Sequence, residues 1–141
     1  MPVRKAEAYW EGSLQKGKGA MKLGSGVFEG AYSFGSRFQE QAGTNPEELI
    51  AAAHAGCFSM AFSALLGEEG FTPKRIDTTA KVTIEKTDSG FAITHIQLDM
   101  KASIPEIDAS QFTEIAHKAK EGCPVSRALA GARIDLEATL L

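Results

Sequence analysis

The chain has 141 residues and a mass of 15.0 kDa, enough for one domain with a hydrophobic core that needs no staples. Fifteen basic and eighteen acidic side chains give a formal net charge of −3 without a run of like charges, which speaks against a nucleic-acid or anionic-membrane surface. Two cysteines, Cys57 and Cys123, exclude a disulfide scaffold and a four-cysteine structural zinc site.

Arg4 to Trp10 reads as a short strand, followed by a turn region with Gly12, Gly17 and Gly19 and a second strand over Ala20 to Leu23. Gly17-Lys18-Gly19 lacks the spacing and trailing Lys-Ser/Thr of a phosphate loop and reads as a hairpin turn. Val27 to Phe38, rich in aromatic and small residues, is expected to be extended and to lead into a loop ending at Gly43. Met1 to Glu11 holds no apolar stretch of signal-peptide length, so the expected location is cytoplasmic.

Thr44-Asn45-Pro46-Glu47-Glu48 is a helix start. Asn45 can cap, Pro46 suits the first helical position, and the two glutamates favour the positive end of the dipole. The helix is expected from Pro46 to about Leu66, ended by Gly67 and Gly70. Leu49 to Leu66 carries no formal charge, which is membrane-span length, but its alanines and His54, Gly56, Ser59 and Ser63 dilute it. With acidic residues on both flanks, it reads as a helix buried in a core or an oligomer interface, with no membrane insertion.

From Arg75 the period changes to two, with Ile76, Thr78, Ala80, Val82 and Ile84 on one face. Asp88-Ser89-Gly90 turns the chain into a strand from Phe91 to Ile104, whose parity slips near Thr94 and His95 as a bulge would make it. Asp108 or Ser110 caps a second long helix closed by Gly122, and Cys123-Pro124 starts a short helical turn to about Ala130. A last strand alternates Ala132, Ile134, Leu136, Ala138 and Leu140 with polar residues. This order makes a single α+β domain over residues 1–141.

Cys57 lies mid-way along the apolar helix, where a free cysteine is often a small core hydrophobe. Cys123 lies where a helix begins, and the unpaired amides of that turn can stabilise a thiolate. Both readings stay open for each. Glu47 suits the helix dipole, and Arg37 flanks a loop. Together they can form a bidentate pair that presents a guanidinium to a thiolate. On one straight helix Glu47 and Cys57 lie ~15 Å apart along the axis. If both serve one reaction, Glu47 comes from a second copy of the chain or the helix breaks, and the first alternative predicts a dimer with composite sites. His54, His95 and His117 fall on different elements without ligand spacing. His54 shares a helix face with Cys57, as a base for the thiol or as a core histidine.

Gly43-Thr44-Asn45-Pro46-Glu47-Glu48-Leu49, then Ala53-His54-Ala55-Gly56-Cys57-Phe58-Ser59-Met60, resembles the signature of the OsmC/Ohr family. Gly122-Cys123-Pro124-Val125-Ser126 resembles its second cysteine motif, and Tyr9-Trp10-Glu11-Gly12 and Gly70-Phe71-Thr72-Pro73 match in order. The Ala-His-Ala-Gly-Cys run resembles the osmotically inducible branch more than the organic hydroperoxide resistance branch. The resemblance implies an intertwined α+β homodimer, with antiparallel sheets around a long central buried helix and active sites shared between subunits. It implies a thiol peroxidase of oxidative and osmotic stress defence, which reduces organic hydroperoxides, and hydrogen peroxide less readily. Cys57 would be the peroxidatic cysteine, Cys123 the resolving one in an intrasubunit disulfide, and Arg37 with Glu47 the active-site ion pair. It implies no bound cofactor, and an external dithiol, with lipoylated proteins as partners. Phe58, Met60 and Phe62 are the apolar neighbours expected to favour alkyl peroxides. The competing class is a non-catalytic binding or structural module of the same fold.

Overall fold

Three short strands open the chain in the computed structural model, which describes residues 1–141. They are β1 (Ala6–Glu11), β2 (Lys18–Leu23) and β3 (Glu29–Tyr32), paired antiparallel in the order β1-β2-β3. Lys18 and Gly19 belong to β2, so the turn between β1 and β2 lies just before them rather than at Gly17-Lys18-Gly19. Gly19 must be glycine, because a Cβ there would fall 2.3 Å from the Tyr9 carbonyl and 2.8 Å from the Trp10 ring. The expected extended run to Phe38 stops at Tyr32, and α1 (Phe34–Phe38) follows. Its signal is a reciprocal cap. Ser33 Oγ accepts from the Ser36 N–H at 3.1 Å, and Ser36 Oγ accepts from the Ser33 N–H at 2.8 Å. A five-residue helix shows too little periodicity for that cap to be noticed in a sequence rich in aromatic residues.

The chain forms two compact units, Met1–Leu49 and Ile50–Leu141. α2 (Pro46–Glu68) begins at the end of the first and runs on unbroken for 23 residues. Asn45 caps it, with its Oδ1 accepting from the Glu48 N–H at 2.7 Å. By length and composition α2 is apolar enough to cross a bilayer, yet it has two distinct faces here. His54, Phe58, Phe62 and Leu66 form a fully buried stripe. Ala52, Ala53, Gly56, Met60, Ser63 and Ala64 form an exposed one, on which Met60 is 77% exposed. The expected burial of this helix therefore holds for one face only within a single chain.

The second unit adds β4 (Arg75–Thr87), β5 (Gly90–Ser103), α3 (Ala109–Gly122), α4 (Pro124–Ala128) and β6 (Arg133–Leu140). β4 and β5 form the expected hairpin, with Thr83 opposite His95 and Ile84 opposite Ile93. Thr94 is thus the bulged residue, and it switches the parity of β5 so that Ile96, Leu98, Met100 and Ala102 all face inward. The sheet order is β4-β5-β6, and β6 runs parallel to β5. The expectation of purely antiparallel sheets is corrected by that pair: α3 and α4 form a crossover that returns the chain to the end where β5 began. Phe58, Phe62 and Leu66 pack with the inward residues of β5 and with Phe112, Ile115, Ala116 and Ala119 of α3. Phe62 meets Phe112 edge-on at 5.7 Å.

Candidate active site

Cys57 and Cys123 come together. Their Sγ atoms lie 2.8 Å apart, and both are free thiols. α3 ends at Gly122 and Pro124 opens α4, so Cys123 is the joint between two helices. Its N–H donates to the Ala119 carbonyl at 2.9 Å and its carbonyl accepts from the Arg127 N–H at 3.1 Å, which fixes the thiol from both sides. Cys123 is wholly buried, whereas Cys57 is part-exposed. Burial pushes the Cys57 thiol above its ordinary range, and the shared contact with Cys123 adds to this. The Val125 backbone N–H, donating to the Cys57 sulfur from the first turn of α4, pulls the other way.

Arg37 and Glu47 also meet. Arg37 Nη2 lies 2.8 Å from Glu47 Oε1, and its Nε donates to Oε1 at 2.9 Å and to Oε2 at 3.3 Å. Glu47 is 7% exposed, and the Arg37 guanidinium lies 5.2 Å from the centroid of the Phe38 ring. Polar residues that sequence reasoning passed over hold the two. Ser36 Oγ donates to the Thr44 carbonyl at 2.7 Å, and Asn45 Nδ2 donates to the Ser36 carbonyl at 3.0 Å, clamping α1 to the start of α2. Asn45 thus caps one helix and ties down the other. Only its capping role has a sequence signal. Arg37 also lines a cavity of about 220 Å³ whose walls include Trp10, Tyr32, Phe34 and Phe38.

Of the three expected apolar neighbours, Phe58 and Phe62 are fully buried in the core and Met60 points outward. His54 Nε2 lies 2.7 Å from Ser126 Oγ, a partner that no sequence pattern suggested. His54, His95 and His117 stay apart on α2, β5 and α3.

The sequence matches the family model described as OsmC-like protein over residues 39–138, a span that includes Glu47, Cys57 and Cys123 and ends short of Arg37. The chain is 56% identical over 127 residues to Peroxiredoxin OsmC of Escherichia coli (strain K12), covering 89% of each. It is 32% identical over 99 residues to the Organic hydroperoxide resistance protein of Xanthomonas axonopodis pv. citri, covering 70% of this chain and 67% of that one. Among solved structures it is similar to the organic hydroperoxide resistance protein OhrB of Bacillus subtilis. The TM-score is 0.69 at 26% identity, over 97% of this chain and 98% of that chain. An OsmC like protein from Mycoplasma pneumoniae gives a TM-score of 0.76 at 14% identity, over 99% and 98% of the two chains, a likeness of fold.

Proposed function

The chain belongs to the OsmC-like protein family and is a cysteine-based peroxidase for organic hydroperoxides, and from that premise we propose that Cys57 is its peroxidatic and Cys123 its resolving cysteine. The observation that carries the assignment is the 2.8 Å approach of two free thiols, of which only Cys57 is open to solvent. A peroxide reaches the open sulfur, and the buried one waits behind it.

The Cys57 thiolate attacks the outer peroxide oxygen and the O–O bond breaks. Cys57 becomes a sulfenic acid while the alkoxide takes a proton and leaves as the alcohol. The Cys123 sulfur then attacks the Cys57 sulfur. The S–O bond breaks, the oxygen leaves as water with the Cys123 proton, and an intrasubunit disulfide closes. Closure needs the sulfurs to approach from 2.8 Å to ~2.05 Å, a shift of under 1 Å. An external dithiol supplies two electrons and two protons to reopen the disulfide and is itself oxidised. Lipoyl groups on partner proteins have this chemistry. No bound cofactor enters these steps, and hydrogen peroxide, without an apolar group to bury, is the poorer substrate. We assign the activity to oxidative and osmotic stress defence in the cytoplasm.

Attack requires the thiolate, and burial opposes it at Cys57. The Arg37 guanidinium, held by Glu47, is the cation suited to reverse that opposition. Because α2 is continuous between Glu47 and Cys57, the two stand ~15 Å apart on one helix. The active protein is therefore a homodimer in which Arg37 and Glu47 of one copy serve Cys57 of the other. The exposed apolar stripe of α2 is the surface for that association.

The test is a count of free thiols under denaturing conditions, before and after one equivalent of cumene hydroperoxide is added to reduced protein. Loss of both thiols, with dithiothreitol restoring them, is expected. Loss of one alone overturns the resolving role of Cys123, and loss of neither overturns the role of both.

A further inference from the structure

His54 and Ser126 are a buried polar pair that the peroxide steps leave unused. Their contact is 2.7 Å, with 0% and 5% of the two residues exposed. His54 stands three residues before Cys57 on α2, and Ser126 three residues after Cys123 on α4. The His–Ser contact therefore repeats the thiol contact about one helical turn away.

α4 has five residues, too few to keep a helical position by itself, so its seat on α2 depends on side-chain contacts. Two polar contacts end on the reactive sulfur: the Cys123 thiol at 2.8 Å and the Val125 N–H. Oxidation of Cys57 adds an oxygen on its open side and turns the charged thiolate into a neutral sulfenic acid, so both contacts lose the anionic acceptor and weaken. The His54–Ser126 bond does not touch the sulfur and is unaffected. His54 Nδ1 is buried without a partner. In either ring tautomer the contact at Nε2 is one hydrogen bond with the Ser126 hydroxyl. Burial holds the imidazole below its usual range, which keeps it neutral.

We infer that His54 and Ser126 are positioning residues, whose bond keeps α4 seated on α2 while Cys57 carries its oxygen. Cys123 then reaches the sulfenic acid before a second peroxide converts it to sulfinic acid. The inference rests on the roles assigned to Cys57 and Cys123 above.

Reduced protein is mixed with one equivalent of cumene hydroperoxide, quenched in acid at intervals and weighed intact. The masses separate dithiol, sulfenic acid, disulfide and sulfinic acid. Ser126→Ala is expected to form sulfenic acid within about twofold of the native rate but to close the disulfide about tenfold more slowly. Sulfinic acid then appears at lower peroxide, and Ser126→Thr, which keeps the hydroxyl, restores closure. The double variant His54→Phe/Ser126→Ala leaves no buried polar atom unpaired, so it folds with near-native Tm and still closes slowly. Native-rate closure in the double variant, equal slowing of both steps, or failure of Ser126→Thr to restore closure overturns the pair's role. Native protein that consumes peroxide without forming the disulfide overturns the cysteine assignment instead, and the pair's role with it.

Discussion

Glu47 holds the Arg37 guanidinium by two nitrogens, and it does so with only 7% of its own surface exposed. Glu47→Gln keeps the shape and removes the charge that orients the cation. We expect kcat/KM for cumene hydroperoxide to fall about 10–100-fold, the worth of one charge-assisted hydrogen bond, with the fold retained. Unchanged turnover would remove the pair from the mechanism. His54 carries a different kind of prediction. Its folded pKa lies below the unfolded 6.5, so the unfolded chain binds the proton first as pH falls. The stability this group contributes is present above pH 6.5 and is lost as pH drops below it, by at most about 1.4 kcal/mol per pH unit. Denaturant titrations should show this acid-side loss in native protein and a flatter profile in His54→Phe. The four site residues stand out by type and flank, as a thiol at a helix start or a carboxylate in a first turn, but those features fit core and capping roles equally well, and it is the family resemblance that singles them out. Ser126 was not legible, since its partner lies 72 residues away and a serine in a short helix has no distinguishing pattern.

At the scale of elements, α1 shows how a small local device supports the site. Its five residues are held by the Ser33–Ser36 reciprocal cap, and Arg37 is its basic residue in the last turn. Ser33→Ala should cost about 1 kcal/mol of stability. It should also raise KM or lower kcat for peroxide, because the helix that carries Arg37 frays first. Equilibrium denaturation together with steady-state kinetics checks both, and a stability loss without a kinetic one would mean that α1 only packs. The long elements were more readable. α2 announces itself through Asn45, Pro46 and two glutamates, and the parity slip in β5 predicts the Thr94 bulge within a residue. The direction of β6 was not readable, because a period-two pattern is the same whether the neighbour runs parallel or antiparallel.

At the scale of the whole molecule, the exposed stripe of α2 is the surface on which the proposed homodimer rests. Met60 is the largest side chain on it, and Gly56 beside it has nothing within 4 Å of where a Cβ would stand. Met60→Glu puts a charge on that face, which a solvated helix tolerates and a packed interface does not. Sedimentation velocity should then show the native protein at twice the 15.0 kDa chain mass and the variant as a monomer. Peroxide turnover should drop at least tenfold with the monomer. A native monomer with full activity would overturn the composite site.

Composition, period and cap chemistry by themselves determined the α+β class and the start of α2, and they left Cys57 and Cys123 open between core and reactive thiols until the family resemblance chose between the two. These properties are local: a helix start, an alternation or a thiol next to Pro124 is written within a few residues. The 2.8 Å thiol contact, the closing of Arg37 onto Glu47, the His54–Ser126 bond and the parallel course of β6 were decided by the tertiary structure alone. Each joins residues that local propensity places independently. Burial of the core against β5 and α3 makes the placements in the second unit simultaneous, and the Ser36–Thr44 and Asn45–Ser36 hydrogen bonds do so for Arg37 and Glu47.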